Sequence, residues 1–418
     1  MRFAIARACA LVLPFTFCIG IHAQEPWTWQ KVLDRFETSN PTLLAGQLNI
    51  DESKAQEITA YLRPNPDLSV SGDQIDPFNA GPSHGPFAYF FPVASVSYLH
   101  EREHKRELRR ESAQNATAIA ASDQADLERS LRFTLRSAFV QILQAKAVLQ
   151  LAKDSLVYYD HVLDVSRERL KVGDIAQIDL DRLELQRVQY ESDLQTAEVN
   201  LRTAKIQLLM LLNDRPPVET FDVTGPFEFS EQLLPLDEFQ KIALDTRPDL
   251  KAAVQSLDKS KTDHRLAIAN GSTDPTFGVD VGRNPPIDLY VGFNVSIPLR
   301  IFDRNQGEKL RTKLDIDRNQ RLLDAAQAQV FSDVDSAYAT LSSNVTLLHP
   351  YKTKYLQQAV RVRDTILFSY QHGGASLLDF LSAQSDYRTV ELSYLNLVGS
   401  YLTAAAQLNM AVGREVVQ

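Results

Sequence analysis

The stretch Tyr370–Gly413, which opens YQHGGASLLDFLSAQSDY and closes AAAQLNMAVG, decides the fold. It reads as a glycine turn followed by one long helix. From Phe380 the apolar or small residues fall at Ala383, Tyr387, Val390, Tyr394, Leu397, Tyr401, Ala404, Leu408 and Ala411. The steps alternate between three and four, a heptad seam that a lone surface helix does not need. The same design stands 200 positions earlier: Gly173 matches Gly373, Asp179 matches Asp379, and Leu180 matches Phe380. There the seam runs through Tyr190, Leu194, Ala197, Leu201, Ala204, Leu208 and Leu211. One supersecondary unit is written twice.

The division that follows is a segment 1–23, a first repeat over 24–214, a linker over 215–234, a second repeat over 235–414 and a tail over 415–418. Residues 1–23 have the layout of a secretory signal peptide: Arg2 and Arg7, a mostly apolar run from Ala8 to Ile21, then His22-Ala23-Gln24 with cleavage after Ala23. A retained anchor is the rival reading, but the run is shorter than the roughly 20 residues a span needs, and Pro14 interrupts it. Both cysteines, Cys9 and Cys18, lie inside this segment. Phe15-Thr16-Phe17 lacks the small residues of a lipid-attachment site, so no lipid anchor is expected. An exported chain without disulfides must draw its stability from packing or assembly. The formal charge is −9 and becomes more negative by two when Arg2 and Arg7 leave, which argues against a nucleic-acid partner. No later segment is apolar enough for a transmembrane helix.

Each repeat opens with two shorter helices. In the first, Trp27 to Thr38 precedes a helix that Asn40-Pro41 starts, that runs to about Leu62, and that Pro64 and Pro66 stop. In the second, Leu236 to Asp245 precedes Arg247-Pro248 and a helix to about Ala269. Two strand-like runs follow in each repeat: Asp67–Asp73 and Ala88–Leu99, then Thr276–Arg283 and Leu289–Leu299. In the last, Leu289, Val291, Phe293, Val295 and Ile297 alternate with Tyr290, Gly292, Asn294 and Ser296, as in a half-buried strand or a barrel with a wet interior. Then come the long helices. One begins near Lys105 and ends at Gly173, with a seam at Leu135, Ala138, Ile142, Ala145, Leu149, Ala152, Leu156, Tyr159 and Leu163. Its counterpart, Asn305 to Gln371, contains Pro350, which should kink or break it. Four strands cannot close a barrel and would leave open edges, so several chains must combine, and the long seams pose the same problem.

These residues resemble the TolC-like outer-membrane efflux proteins over nearly the whole mature chain. The most specific pieces are RLKVGDIAQIDLDRLELQ, SYQHGGASLLDFLSAQ, VSIPLRIFDRNQGE and LNMAVG. The resemblance implies a mainly α fold with a membrane β-barrel: long antiparallel coiled-coil helices and four strands per chain, closing in a homotrimer as a 12-stranded barrel and a helical tube. It implies an outer-membrane location extending into the periplasm, in contact with lipid. Its partners would be a periplasmic adaptor and, through it, an inner-membrane pump. Within the motifs, Tyr370 and Asp379 stand where the family has gate residues at the tip. Val172-Gly173 and Gly373, Gly374, Ala375 and Ser376 match the turns on which adaptor hairpins dock. Three departures are visible. Ser382 stands where some members carry a second gate aspartate, Ala375 where some carry arginine, and His104-Lys105-Arg106 replaces a usual Gly-Lys-Arg.

Each feature has a plainer reading too. Gly173 and Gly373 are first of all turn residues. Asp179 and Asp379 suit helix N-termini, and Tyr387, Tyr394 and Tyr401 suit seam packing. His100-Glu101-Arg102-Glu103-His104 satisfies H-E-x-x-H, the zinc peptidase signature. Its place just beyond a strand, amid charge on every helical face, points instead to a solvated belt where barrel meets tube. The expectation is a passive export duct with no catalytic residue, metal or cofactor. The alternatives are an exported zinc metallopeptidase and a periplasmic coiled-coil scaffold without a pore. Metal, drug and protein cargo stay equally open.

Overall fold

The computed structural model describes residues 25–75, 78, 87, 90–284 and 287–417. The signal-peptide reading of 1–23 lies outside the described residues, as do Ala88 and Tyr89 of the second strand-like run.

The first repeat runs α1 (Trp29–Ser39), α2 (Pro41–Ala60), β1 (Asp67–Asp73), β2 (Phe91–Leu99), α3 (Lys105–Lys171) and α4 (Gln177–Leu211). The second runs α5 (Leu236–Thr246), α6 (Pro248–Ala269), β3 (Thr276–Asn284), β4 (Ile287–Ser296), α7 (Gln306–Pro350), α8 (Leu356–Gln371) and α9 (Leu377–Val412). The 67-residue α3 is unbroken, a rod of about 100 Å at 1.5 Å per residue. Its counterpart is not. Pro350, which has no N–H to give, ends α7, and the chain passes through one π-helical turn, Tyr351–Tyr355, before α8 resumes. β4 also stops at Ser296, short of the expected Leu299, because Pro298 cannot donate to a ladder.

Local chemistry sets the helix starts. Asn40 accepts from the amides of Thr42 (3.0 Å) and Leu43 (3.1 Å), and Pro41 supplies the preset first position of α2. At the foot of α3, His104 turns left-handed with φ 53°. Beside it the buried Lys105 ammonium donates to Asp274 (2.6 Å) and to the Ser272 carbonyl (3.0 Å), which keeps a buried charge paired.

The strands form one antiparallel sheet in chain order, β1-β2-β3-β4. The helices form a layer in which α3 packs against α2, α4, α6 and α9, and α7 against α6 and α9. Three apolar clusters hold the layer. One gathers Val32, Phe36, Leu135, Ile142 and Leu208 of the first repeat; another gathers Phe239, Val334, Leu341, Val398, Tyr401 and Leu408 of the second. The third lies at the far tip. The linker ties the first two, placing Phe221 and Val223 in one and Phe229 in the other.

Candidate functional site

The tip is built from two turns of nearly equal geometry. Gly173 (φ 83°) and Gly373 (φ 75°) are both left-handed, and a Cβ added to either would meet nothing within 4 Å. Glycine is required there by backbone angle and not by crowding. Both turns close alike: Gly173 N donates to Leu170 O (3.0 Å) and Asp174 N to Arg169 O (2.9 Å), while Gly373 N donates to Tyr370 O (3.2 Å) and Gly374 N to Ser369 O (2.7 Å). Val172 stands exposed at the first turn. Ala375 of the second packs on the tip cluster.

The helices leaving these turns start differently. Ser376 caps α9 reciprocally: its hydroxyl accepts from Asp379 N (3.2 Å), and the Asp379 carboxylate accepts from Ser376 N (3.0 Å). Hydrogen bonds from Ser376 hold the Asp379 carboxyl below its ordinary pKa. Ala176, at the same place in the first turn, has no side chain that can cap.

Between the turns lies an aromatic cluster. Tyr159 stacks on Tyr190 at 4.5 Å and donates to the Leu183 carbonyl (3.1 Å); Tyr370 stacks on Phe380 at 5.2 Å. Tyr370 is thus 7% exposed, packed within its own chain. Burial pushes its hydroxyl pKa up, and the Arg169 charge pulls the other way. Arg169 joins the two hairpins, donating to the Tyr370 carbonyl (3.2 Å) with its guanidinium 5.3 Å from that ring. Sequence reading passed over Arg169. Its signal was a cation in the last turn of α3, where helix carbonyls lack partners.

At the other end, register assigns the two faces of the sheet. Leu68 pairs with Val96, Val96 with Val279, and Val279 with Phe293; Val70, Ala94, Val281 and Val291 form the next rung. Directly paired residues share a face, so these rungs form one apolar surface, largely exposed, with Phe293 at 82% and Leu68 at 72%. The opposite face carries Ser69, Ser95, Asp280 and Gly292 in one rung and Ser97, Gly278 and Asn294 in the next.

The H-E-x-x-H residues do not form a helical turn. His100 through Glu103 precede α3, and His104 is its left-handed cap. Two histidines converge on a metal from one helical face, and that face does not exist here. Glu101 is spent on the Arg109 guanidinium (2.9 Å to Oε2), and Arg102 N donates to Asp274 (2.9 Å). Among the described residues no helix is long and apolar enough to cross a membrane.

A family model described as outer membrane efflux protein matches residues 240–414. The chain is 22% identical over 393 residues to the cobalt-zinc-cadmium resistance protein CzcC of Cupriavidus metallidurans, covering 94% of this chain and 91% of that one. It is 23% identical over 361 residues to the pyoverdine export outer membrane protein OpmQ of Pseudomonas aeruginosa, covering 83% of this chain and 72% of that one. In fold it is similar to a solved structure of CusC, with a TM-score of 0.78, 17% identity and 92% of each chain covered.

Proposed function

The chain belongs to the outer membrane efflux protein family, and on that premise we propose that it is the outer-membrane channel of a tripartite efflux system. It conducts substrates passively from a periplasmic pump and adaptor assembly to the exterior, and it does no covalent chemistry. The observation that carries this reading is the two-faced sheet: an exposed apolar wall backed by a polar and glycine-rich one, as in a barrel between lipid and water.

Closure is the second part of the proposal, as a homotrimer with a 12-stranded barrel and a helical tube. The two flanks of the chain support it. On one flank lie α2, β1 and α4; on the other lie β4, α7 and α8. Among the described residues β1 and β4 each pair with one strand, β2 and β3. Exposed apolar residues continue both flanks along the helices. Ile178, Leu185, Val199 and Ile206 stand on α4, with Leu44, Leu48 and Ile58 on α2, opposite Leu310, Leu314, Val362 and Phe368 on α7 and α8. Complementary flanks generate a ring when the rotation closes. The repeats 24–214 and 235–414 and the linker 215–234 are proposed as the units of each chain.

At the tip, Val172, Gly173, Gly373, Gly374, Ala375 and Ser376 are proposed to seat the adaptor, and Tyr370 and Asp379 to form the constriction. Tyr370 acts there by fixing Phe380 and the start of α9, while Asp379 supplies charge. Three such carboxylates around an axis attract polyvalent cations. The decisive experiment is mass measurement in mild detergent with conductance across a planar bilayer. A trimer that conducts is expected, and a folded, monodisperse monomer sinks the proposal. In the same recordings Asp379→Ala should weaken block by a trivalent cation from the tip side.

A further inference from the structure

A hollow of about 600 Å3 lies between α3, α4 and α9, on the sheet side of the tip cluster, whose Tyr190 is among its lining residues. Its apolar lining combines small side chains, Ala145 and Ala152 on α3 with Ala197 and Ala204 on α4, with larger ones, Val148, Leu151 and Leu392. The second repeat carries Leu397 where the first has Ala197. Amides and hydroxyls supply its polar lining, Gln141, Asn200, Gln207, Ser155 and Thr203 among them. The Gln144 amide donates to Asn396 (2.8 Å) and ties α3 to α9 along one side. Toward the tip, Arg388 donates to Asp193 at 2.5 Å and lies 4.9 Å from the Tyr190 ring. These two are the charged groups of the lining, and they neutralise each other.

The hollow also has a definite side. On α9, Leu392 lines it, while Tyr401 packs edge-on against Phe229 of the linker at 5.9 Å. Nine residues at 100° each put these two side chains on opposite faces of the helix. The hollow therefore opens on the face of the helical layer away from the linker. In a closed tube the bulky linker must lie outside, so the hollow faces the lumen. This step rests on the channel reading proposed above.

We propose that the hollow is a lumen-wall subsite for a neutral, drug-sized organic molecule with an apolar face and several hydrogen-bonding groups. Its size falls within the range of small-molecule sites. Paired charges leave no net attraction for an ion, whereas amides and hydroxyls offer both donors and acceptors.

The test is equilibrium dialysis of the purified full-length protein in detergent against radiolabelled chloramphenicol, a neutral nitroaromatic amide, with micelles alone as the blank. One saturable site per chain is expected. Ala197→Leu, which copies the second repeat, should weaken it about tenfold or more. Asn200→Leu, on an exposed rim position that the core does not need, should also weaken it. Absence of saturable binding by the wild type, or unchanged binding in both variants, overturns the proposal. So does saturable zinc binding that Asp193→Asn abolishes. Conductance of the same wild-type preparation separates the two readings. A conducting protein without the site loses only the subsite; a saturable site in a protein that never conducts sinks the channel.

Discussion

The two repeats solve one problem with different chemistry. Where α2 follows α1, Ser39 Oγ donates to the Leu212 carbonyl (2.7 Å) and Asn40 Nδ2 to the Leu211 carbonyl (2.9 Å), satisfying the last turn of α4. Where α6 follows α5, Thr246 Oγ1 donates to the Val412 carbonyl (2.6 Å) and Arg247 to the Ala411 carbonyl (3.1 Å), satisfying the last turn of α9. Donors and acceptors correspond across the repeat, yet a neutral amide in one half is a guanidinium in the other. A buried guanidinium needs counter-charge. Arg247 bonds Asp249 (3.0 Å) and Asp333 (2.9 Å), and Arg129, 3.7 Å from Asp249, donates to the Met410 carbonyl (2.5 Å). The first junction is a local cap. The second is an ionic hub joining α3, α6, α7 and α9.

The largest expected effect breaks that contrast directly. Arg247→Ala should cost about 2–3 kcal/mol, because it leaves the buried Ala411 carbonyl without its donor and takes the guanidinium from Asp249 and Asp333, each about a third exposed. Asn40→Ala should cost about 1 kcal/mol, the usual value of a cap. Arg247→Asn, which copies the first junction, should recover only part of this, since Asp333 loses its guanidinium and Asp249 keeps Arg129 alone, at 3.7 Å. Urea titration in detergent reads all three, and equal losses at the two junctions would dissolve the distinction.

Acid should separate the halves in the same way. Burial pushes the Asp249 carboxyl up, but the hydrogen bonds and charge of Arg247 outweigh it and hold the pKa below the ordinary aspartate value. A depressed pKa contributes stability that is present above the unfolded value, about 3.9, and is lost as pH falls through the folded one. Stability measured from pH 6 down to pH 3 should therefore drop in the wild type and vary less in Asp249→Asn. Parallel curves would remove Asp249 from the hub.

The tip turns sharpen the comparison from the opposite side, because here the halves match. Gly173→Ala and Gly373→Ala should each cost about 1–2 kcal/mol, from the left-handed backbone alone. A docking role shows as an export defect larger than that common cost, so comparing export at matched stability identifies the turn the adaptor uses. Equal, modest export losses would take both turns out of the docking proposal.

The smallest effect concerns the helix starts beyond those turns. Ser376→Ala should cost about 0.5–1 kcal/mol and Ala176→Ser should gain a few tenths, moving the two hairpins toward each other. Thermal melts of the two variants and their double mutant would show it, and a larger gain at Ala176 would mean that the first turn is the strained one.

Local patterns in the chain were enough to place most elements. Heptad steps, Pro and Gly punctuation and strand alternation depend on neighbours a few residues apart, so the bounds of β1 and α3, the seams of α4 and α9 and the turn glycines at 173 and 373 were legible in residue order. The tertiary structure decided what depends on distant partners. It set the register between β2 and β3, which makes four separate alternations one apolar wall, and it packed Tyr370 onto Phe380 inside its own chain. It absorbed Pro350 in a π-helical turn beside the linker, where His349 meets Glu231 at 3.3 Å and Lys352 lies 5.0 Å from the Phe229 ring. It also made Arg247 the counterpart of Asn40, two residues with nothing in common except a carbonyl to satisfy. The physical reason is the same throughout: backbone angles are chosen by the local sequence, but a side chain's energy is set by whatever the fold brings against it.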